Sequence, residues 1–418
     1  MIRRRLALLL LMSAMPAGAV TLDEAIAAAL AHDPSIAVAD AGRDAADGRV
    51  TQARSGGLPT VTLRGSVGYG RLDPQGYFGL NAADVTPITA QASIEQPLFT
   101  GGRVAAETAR ARAGLAASEA GRGAARAELA AAVAAAYGDV LTSATMIDLY
   151  RHLVAETTEI ERQARLRYKA GESPSTDVSQ ASARLAEARG GLAGALGAGD
   201  TARARYRNLV GTDAVGLAPL PAGPIPPATL DEAIAIASHN SPAIAQAEAV
   251  AEAARAAVRS AHADRLPSVG AFAEAGVVRD QFFPDYRANA ATVGLRANWQ
   301  LYNGGLTDGR IAETSAEVRA AQARLQAARM QVEEQVISTF QGVRTAALMA
   351  TAAADQARAT DDALTSIRHE VRVGMKPQLD LLDAEREAIA AAARAARARA
   401  EQVVIAYRLD ALLGRAAP

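Results

Sequence analysis

The sequence predicts a mainly α-helical chain with a small β part, arranged as a tandem repeat of long antiparallel coiled-coil helices with two strands in each copy. Three observations predict it. The segment Thr21-Leu22-Asp23-Glu24-Ala25-Ile26 returns as Thr229-Leu230-Asp231-Glu232-Ala233-Ile234, and an internal repeat governs every later inference. Hydrophobic residues make up 50% of the chain but aromatics only 4%, so much of the apolar content is alanine, which favours helix and close helix approach over a bulky core. Two stretches, about Arg103 to Lys169 and Leu306 to Arg372, contain almost no helix breakers apart from scattered glycines such as Gly114 and Gly342.

At the N-terminus, Arg3, Arg4 and Arg5 precede the apolar run Leu6 to Met12 and the small residues Ala17-Gly18-Ala19. That order reads as a secretory signal peptide over residues 1–19. The alternative is a membrane anchor, for which the run is about half the ~20 residues a bilayer-crossing helix needs. No later apolar stretch is expected to reach that length, so an exported chain of this kind would enter a membrane only as β-strands.

The repeat then runs the length of the chain. Pro34 matches Pro242, and Leu58-Pro59 matches Leu266-Pro267; Tyr137 matches Phe340, and Asp177 matches Asp380. Copy one is expected over 20–211 and copy two over 229–418. Between them, 212–228 carries Pro219, Pro221, Pro224, Pro226 and Pro227, which suits neither helix nor central strand and marks a connector.

Within each copy, Thr21 with Glu24, and Thr229 with Glu232, form a capping-box pattern opening a short helix. The helix breaks before Pro34, because the residue preceding proline is pushed out of the α region. A second helix runs to about Gly56 and, in copy two, from Pro242 to about Arg265. Strands are expected over roughly 60–72 with 86–98 and 267–279 with 290–301, where Val61, Leu63 and Tyr69, or Val293, Leu295 and Trp299, alternate with small or polar residues. Ten aromatics gather in these regions, Tyr77, Phe78, Phe99, Phe272, Phe282, Phe283, Tyr286 and Tyr302 among them. Such a gathering fits the interfacial girdles of an outer-membrane barrel; a soluble sheet core is the alternative. If it is a barrel, four strands are too few for one subunit to close it, since the smallest have about eight, and the chain must oligomerise.

The long helices follow Gly101-Gly102 and Gly304-Gly305. Each is expected to be about 100 Å long at about 1.5 Å per residue, too long for a compact domain. The chain turns at Gly171 and Gly374, with Pro174 and Pro377 suited to the first turn of the returning helix.

Lys+Arg 44 against Asp+Glu 45 leaves a net charge of -1, which gives no electrostatic reason to expect nucleic acid as a partner. With no cysteine, disulfides and thiolate metal sites are excluded. His32, His152, His239, His262 and His369 lack metal-ligand spacing, and no nucleophile elbow, P-loop or dinucleotide fingerprint occurs. No cofactor and no enzymatic activity are expected.

The tandem repeat, the junctions Gln96-Pro97-Leu98-Phe99-Thr100-Gly101-Gly102 and Leu301-Tyr302-Asn303-Gly304-Gly305, and the turns Arg167-Tyr168-Lys169-Ala170-Gly171 and Val371-Arg372-Val373-Gly374-Met375-Lys376-Pro377 together resemble the TolC family of outer-membrane efflux and secretion proteins over essentially the whole mature chain. The resemblance implies a homotrimer whose twelve-stranded barrel sits in outer-membrane lipid and continues into a periplasmic helical tunnel. It implies a passive duct for drugs or proteins that docks, through a periplasmic adaptor, with an inner-membrane transporter of the RND, ABC or MFS type. The turns Gly171, Pro174, Gly374 and Pro377 would meet the adaptor. Lacking a lipid-anchor cysteine, the chain looks closer to the TolC branch than to lipoprotein relatives.

Asp380 and Asp383 lie three residues apart on one helix face, and threefold symmetry would turn them into two carboxylate rings that attract cations at a narrow mouth. Acidic residues near a helix N-terminus are also favourable in themselves. In the family such a pair lines the periplasmic constriction, and a basic residue on one turn locks onto polar groups of the neighbouring turn. The lock maps to Lys376 with Thr176 and Asp177. Where the family's network has an aromatic, this chain has Val371, and lysine's point charge replaces an arginine fork, which implies a gate that opens more easily. The rival reading is a non-pore periplasmic coiled-coil or adaptor protein.

Overall fold

The computed structural model describes residues 19–73 and 82–415. The expected leader, apart from Ala19, and the aromatics Tyr77 and Phe78 lie outside the described residues. The first copy contains α1 (Leu22–His32), α2 (Pro34–Ser55), β1 (Thr60–Val67), β2 (Gly70–Leu72), β3 (Ala83–Val85), β4 (Ile88–Phe99), α3 (Arg103–Lys169) and α4 (Ser175–Val210). The second contains α5 (Leu230–Asn240), α6 (Pro242–Ala263), β5 (Ser268–Arg279), β6 (Arg287–Asn298), α7 (Leu306–Arg372) and α8 (Gln378–Leu412). The two long helices, α3 and α7, are 67 residues each.

The caps explain why elements begin and end where they do. At α1 the Thr21 hydroxyl accepts from the Glu24 N–H, and the Glu24 carboxylate accepts from the Thr21 N–H, a complete capping box. At α5 only half of that pattern repeats: Thr229 accepts from the Glu232 N–H, but the Glu232 carboxylate accepts from the Ala228 N–H, one residue earlier. Pro174 and Pro377 stand one position before the helical first turn, as the extended N-cap residues of α4 and α8; their fixed φ suits that position, and their carbonyls accept from Asp177 and Asp380 N–H. The turns at Gly171 and Gly374 are left-handed, φ 76° and 77°. Each closes with the paired bonds of a Schellman motif, Glu172 N–H to Arg167 O with Gly171 N–H to Tyr168 O, and Met375 N–H to Glu370 O with Gly374 N–H to Val371 O.

Two compact units emerge, and they do not follow the repeat. One comprises Asp40–Gly121 with Ala243–Arg329; the other comprises residues up to Ala39, Arg122–Pro242 and the chain from Met330 onward. The first unit holds an antiparallel four-stranded sheet in the order β1-β4-β5-β6. Its expected first strand, 60–72, is broken. The β1–β4 ladder ends at Val67↔Ile88, next to Pro87, which has no N–H to donate. Pairing resumes as the separate β2–β3 ribbon, Gly70↔Val85 to Leu72↔Ala83. Pro97, inside β4, lies beyond the last pair with β1, Thr60↔Glu95, where a proline is tolerated, and a register shift follows between Pro97 and Phe99.

The second unit has the larger core. Leu22, Ile26 and Ala29 of α1 pack with Leu129, Val133, Ala134, Ala136 and Tyr137 of α3, Tyr206 and Val210 of α4, and Val403 and Tyr407 of α8. The Tyr137 hydroxyl lies 2.7 Å from Val20 O and 2.6 Å from Ala218 O. It thereby fastens the segment before α1 to the proline-rich connector, which are themselves bridged at Val20↔Leu217. Burial first, then the neighbouring Tyr206, pushes this phenol up to about 12, so it stays a hydrogen-bond donor at any physiological pH. One expectation is corrected in α3, whose residues are divided between the two units. Helix α3 contains a stretch of mean hydropathy 1.3, apolar enough by length and composition to cross a membrane, but half of it is buried within the chain, as suits a helix that lines a core.

Candidate functional site

Two regions hold the residues that the sequence analysis singles out, and each follows from local sequence. In the sheet, alternation and register sort the side chains into two faces. One face carries Val61, Leu63, Gly65 and Val67 of β1, Ile88, Ala90, Ala92 and Ile94 of β4, Ala273, Ala275 and Val277 of β5, and Ala291, Val293 and Leu295 of β6, with Arg279, Arg287 and Asn289 at its Ile88 end. The other carries Thr60, Thr62, Arg64 and Ser66, then Thr89, Gln91, Ser93 and Glu95, then Phe272 and Glu274, then Thr292 and Arg296. The polar face is cross-linked: Gln91 and Arg296 both donate to Glu274, and Arg296 stacks 4.5 Å over the Phe272 ring. The apolar face is uncovered in the single chain, with Val61 75% and Val293 83% exposed. A contiguous bare apolar face of this extent marks a surface that meets lipid or another chain. Among the described residues nothing pairs with the outer edges of β1 and β6, so the sheet is open on both sides.

The junctions that end the sheet are built from left-handed glycines, Gly101, Gly102, Gly304 and Gly305, with φ of 62°, 84°, 69° and 87°. Gly101 is also sterically required, because a Cβ there would stand 2.8 Å from Ala263 O and 2.9 Å from Leu266 Cβ. At the second junction Asn303 caps α7 by exchanging bonds with Thr307.

The other region is the pair of hairpin ends, α3–α4 and α7–α8. A small apolar contact of Ile160, Ala164, Ala181 and Leu382, with Val178, joins them. Around it run three polar ties between the hairpins: Gln378 donates to Gln163 at 3.0 Å, Arg184 donates to Asp383 at 3.2 Å, and Arg368 donates to Glu156 at 2.6 Å. Asp383 is thus half-engaged by a cation of the first hairpin, while Asp380 is exposed. Asp177 and Lys376 line one cavity of about 850 Å³ between the hairpins, together with Arg167, Ser173 and Gln378. Within the chain the Lys376 ammonium is 2.9 Å from Glu370 on its own hairpin, and no bond joins it to Thr176 or Asp177 among the described residues. Thr176 is exposed at the start of α4.

One group here escaped the sequence reading. Glu385 of α8 is 2% exposed and sits 3.5 Å from Arg368. Its signal was present: Leu382, Glu385 and Ile389 fall at helical spacing on one stripe, so a carboxyl interrupts an apolar face.

A family model described as outer membrane efflux protein matches residues 25–212 and 233–415. This chain belongs to that family. Among curated relatives of this efflux family member, outer membrane efflux protein BepC of Brucella suis biovar 1 is 28% identical over 282 residues, covering 67% of this chain and 62% of BepC. Alkaline protease secretion protein AprF of Pseudomonas aeruginosa is 26% identical over 297 residues, covering 68% of this chain and 60% of AprF. The chain therefore spans about three fifths of the length of either relative. The Campylobacter jejuni CmeC outer membrane channel superposes with a TM-score of 0.81 at 13% identity, covering 94% of this chain and 85% of CmeC. The fold is accordingly the TolC-like one, mainly helical with a small strand part.

Proposed function

We propose that this chain is one third of an outer-membrane channel-tunnel, the passive exit duct of a tripartite efflux pump or a type I secretion system. The observation that carries the reading is the four-stranded sheet with an apolar face, a polar face and two unpaired edges. Three such sheets joined edge to edge give a twelve-stranded barrel with lipid outside and water inside, and closure shared among several chains is how so few strands per chain can satisfy their backbone in a membrane. The helices α3 and α7, roughly 100 Å each at about 1.5 Å per residue, extend the passage into the periplasm. The names of BepC and AprF speak of efflux and of alkaline protease secretion respectively, so a duct for drugs and a duct for proteins both fit.

At the hairpin ends, Asp380 and Asp383 would form the two carboxylate rings of the entrance, Lys376 would reach Thr176 and Asp177 of the adjacent turn when its partner Glu370 releases it, and Gly171, Pro174, Gly374 and Pro377 would shape the loops an adaptor and transporter meet. The family is one of outer membrane efflux proteins, which supports a transport role over a catalytic one.

The test is fractionation and planar-bilayer recording of the full-length protein. A heat-modifiable trimer in the outer membrane that conducts ions, and whose block by multivalent cations disappears in Asp380→Ala with Asp383→Ala, is the expected result. A water-soluble product without conductance would favour the non-pore coiled-coil reading; conductance with block intact in the double variant would move the cation rings elsewhere.

A further inference from the structure

Glu385 is the one carboxyl-bearing side chain that is fully buried among the described residues. Neither of its oxygens has a hydrogen-bond partner. The cation nearest it, Arg368 of α7 at 3.5 Å, is committed to Glu156 of α3 at 2.6 Å. One guanidinium therefore faces two carboxyls drawn from two hairpins. Of the other charges at these hairpin ends, Arg184 of α4 binds Glu187 and Asp383, Arg386 of α8 lies 3.9 Å from Glu187, and Lys376 lies beside Glu370.

Leaving a second carboxylate ionised and unbonded in such a place is expensive. Protonation resolves it, because the neutral acid supplies an O–H that the Glu156 carboxylate can accept while Arg368 keeps its own bond. We propose that Glu385, Glu156 and Arg368 form a proton-operated latch that holds the second hairpin against the first, closed when Glu385 carries its proton and released when the proton leaves to water. Burial first, and then Glu156, pushes the Glu385 carboxyl up to about 8 against the opposing pull of Arg368. The closed form thus binds one proton more than a released form whose carboxyl, in water, has the ordinary value of 4.5. By linkage, closure is strongest below the ordinary value, weakens as pH rises from there, and levels off past about 8. The consequence for passage through a duct rests on the function proposed above; the latch itself does not.

Hydrogen exchange of the intact full-length protein, corrected for the chemical exchange rate, reads the latch directly in 378–390 of α8. Protection in the wild type is expected to drop roughly tenfold between pH 7 and pH 9, with the fall flattening above about pH 8. Glu385→Gln, whose amide cannot ionise, should lose the pH dependence and stay protected; Glu156→Gln should move the flattening to lower pH. Constant wild-type protection over this range, or an identical fall in Glu385→Gln, would overturn the latch. Should Glu385→Gln fail to assemble, Glu156→Gln decides alone, and an unmoved profile there overturns it. Bilayer conductance of the same samples separates the two claims: a channel whose exchange is flat sinks the latch and keeps the duct, whereas the exchange transition in a protein without conductance does the reverse.

Discussion

The two copies of the repeat agree in backbone and part company in side chains. Helices of 11, 22 and 67 residues recur in the same order, and both hairpins turn through a left-handed glycine followed by a proline cap. Yet Tyr137, which ties the N-terminal segment to the connector, has Phe340 as its counterpart, without a hydroxyl to offer. At the hairpin ends Asp177 is matched by Asp380, but Gln180 is matched by Asp383. Duplication has kept the parts that set geometry and freed the parts that carry charge, so that the second hairpin alone bears the acidic pair and the buried Glu385.

That contrast can be broken most sharply at the ends of the returning helices. Gly211 and Gly414 occupy equivalent positions, with φ of 83° and 65°. A Cβ at Gly414 would lie 1.9 Å from the backbone oxygen of Asn240, whereas at Gly211 it would meet only the His32 ring, at 2.7 Å. Rigid backbone gives way less than a side chain, so Gly414→Ala should cost about 3 kcal/mol or more and Gly211→Ala about half as much. Thermal melts of the two purified variants check this, and equal losses would show that the packing of the copies is the same after all.

The strand-to-helix junctions sharpen the comparison next. Gly101 faces Ala263 O and Leu266, while Gly304 has open space around it. Gly101→Ala is expected to lower stability by about 2 to 3 kcal/mol and Gly304→Ala by about 1, the left-handed strain alone, read as denaturation midpoints. Smaller again is Tyr137→Phe, which removes the donor from Val20 O and Ala218 O and should cost about 1 to 2 kcal/mol; limited proteolysis should then cut the segment before α1 faster. The reciprocal change, Phe340→Tyr, should recover none of it. Least of all, Arg184→Ala severs a partly exposed pair with Asp383 and should change stability by no more than about 1 kcal/mol, while altering cation block in bilayer recordings if Asp383 lies on the conduction path.

Most of the architecture was legible in residue patterns, for identifiable reasons. Breakers are so sparse in 103–169 and 306–372 that the bounds of α3 and α7 could be read directly. Gly-x-x-Pro fixed both turns. The first strand misled because Pro87 acts on its partner's ladder across the sheet, a pairing effect that no local run displays. Half of the second capping box misled because Glu232 found an equally good donor one residue upstream. Of the hairpin-end groups, Asp380, Asp383 and Lys376 could be proposed from their spacing after the turn and the family resemblance. The partners of two of them, Arg184 and Glu370, emerged only from the folded hairpins. Glu385 went unnoticed because a charged residue on a helix is ordinarily a solvated one, and only the approach of α3 and α7 makes it buried.

The bare outer edges of β1 and β6 carry a consequence for how the protein comes into being. In the trimer proposed above, a single copy that has not yet met its siblings would expose two rows of backbone donors and acceptors and an oily flank at once, a combination that invites misassociation with any extended polypeptide nearby. On that proposal, companion copies and bilayer would have to be found nearly together. Abundance of finished assemblies should consequently rise more steeply than in proportion to synthesis, and stray single copies should be short-lived.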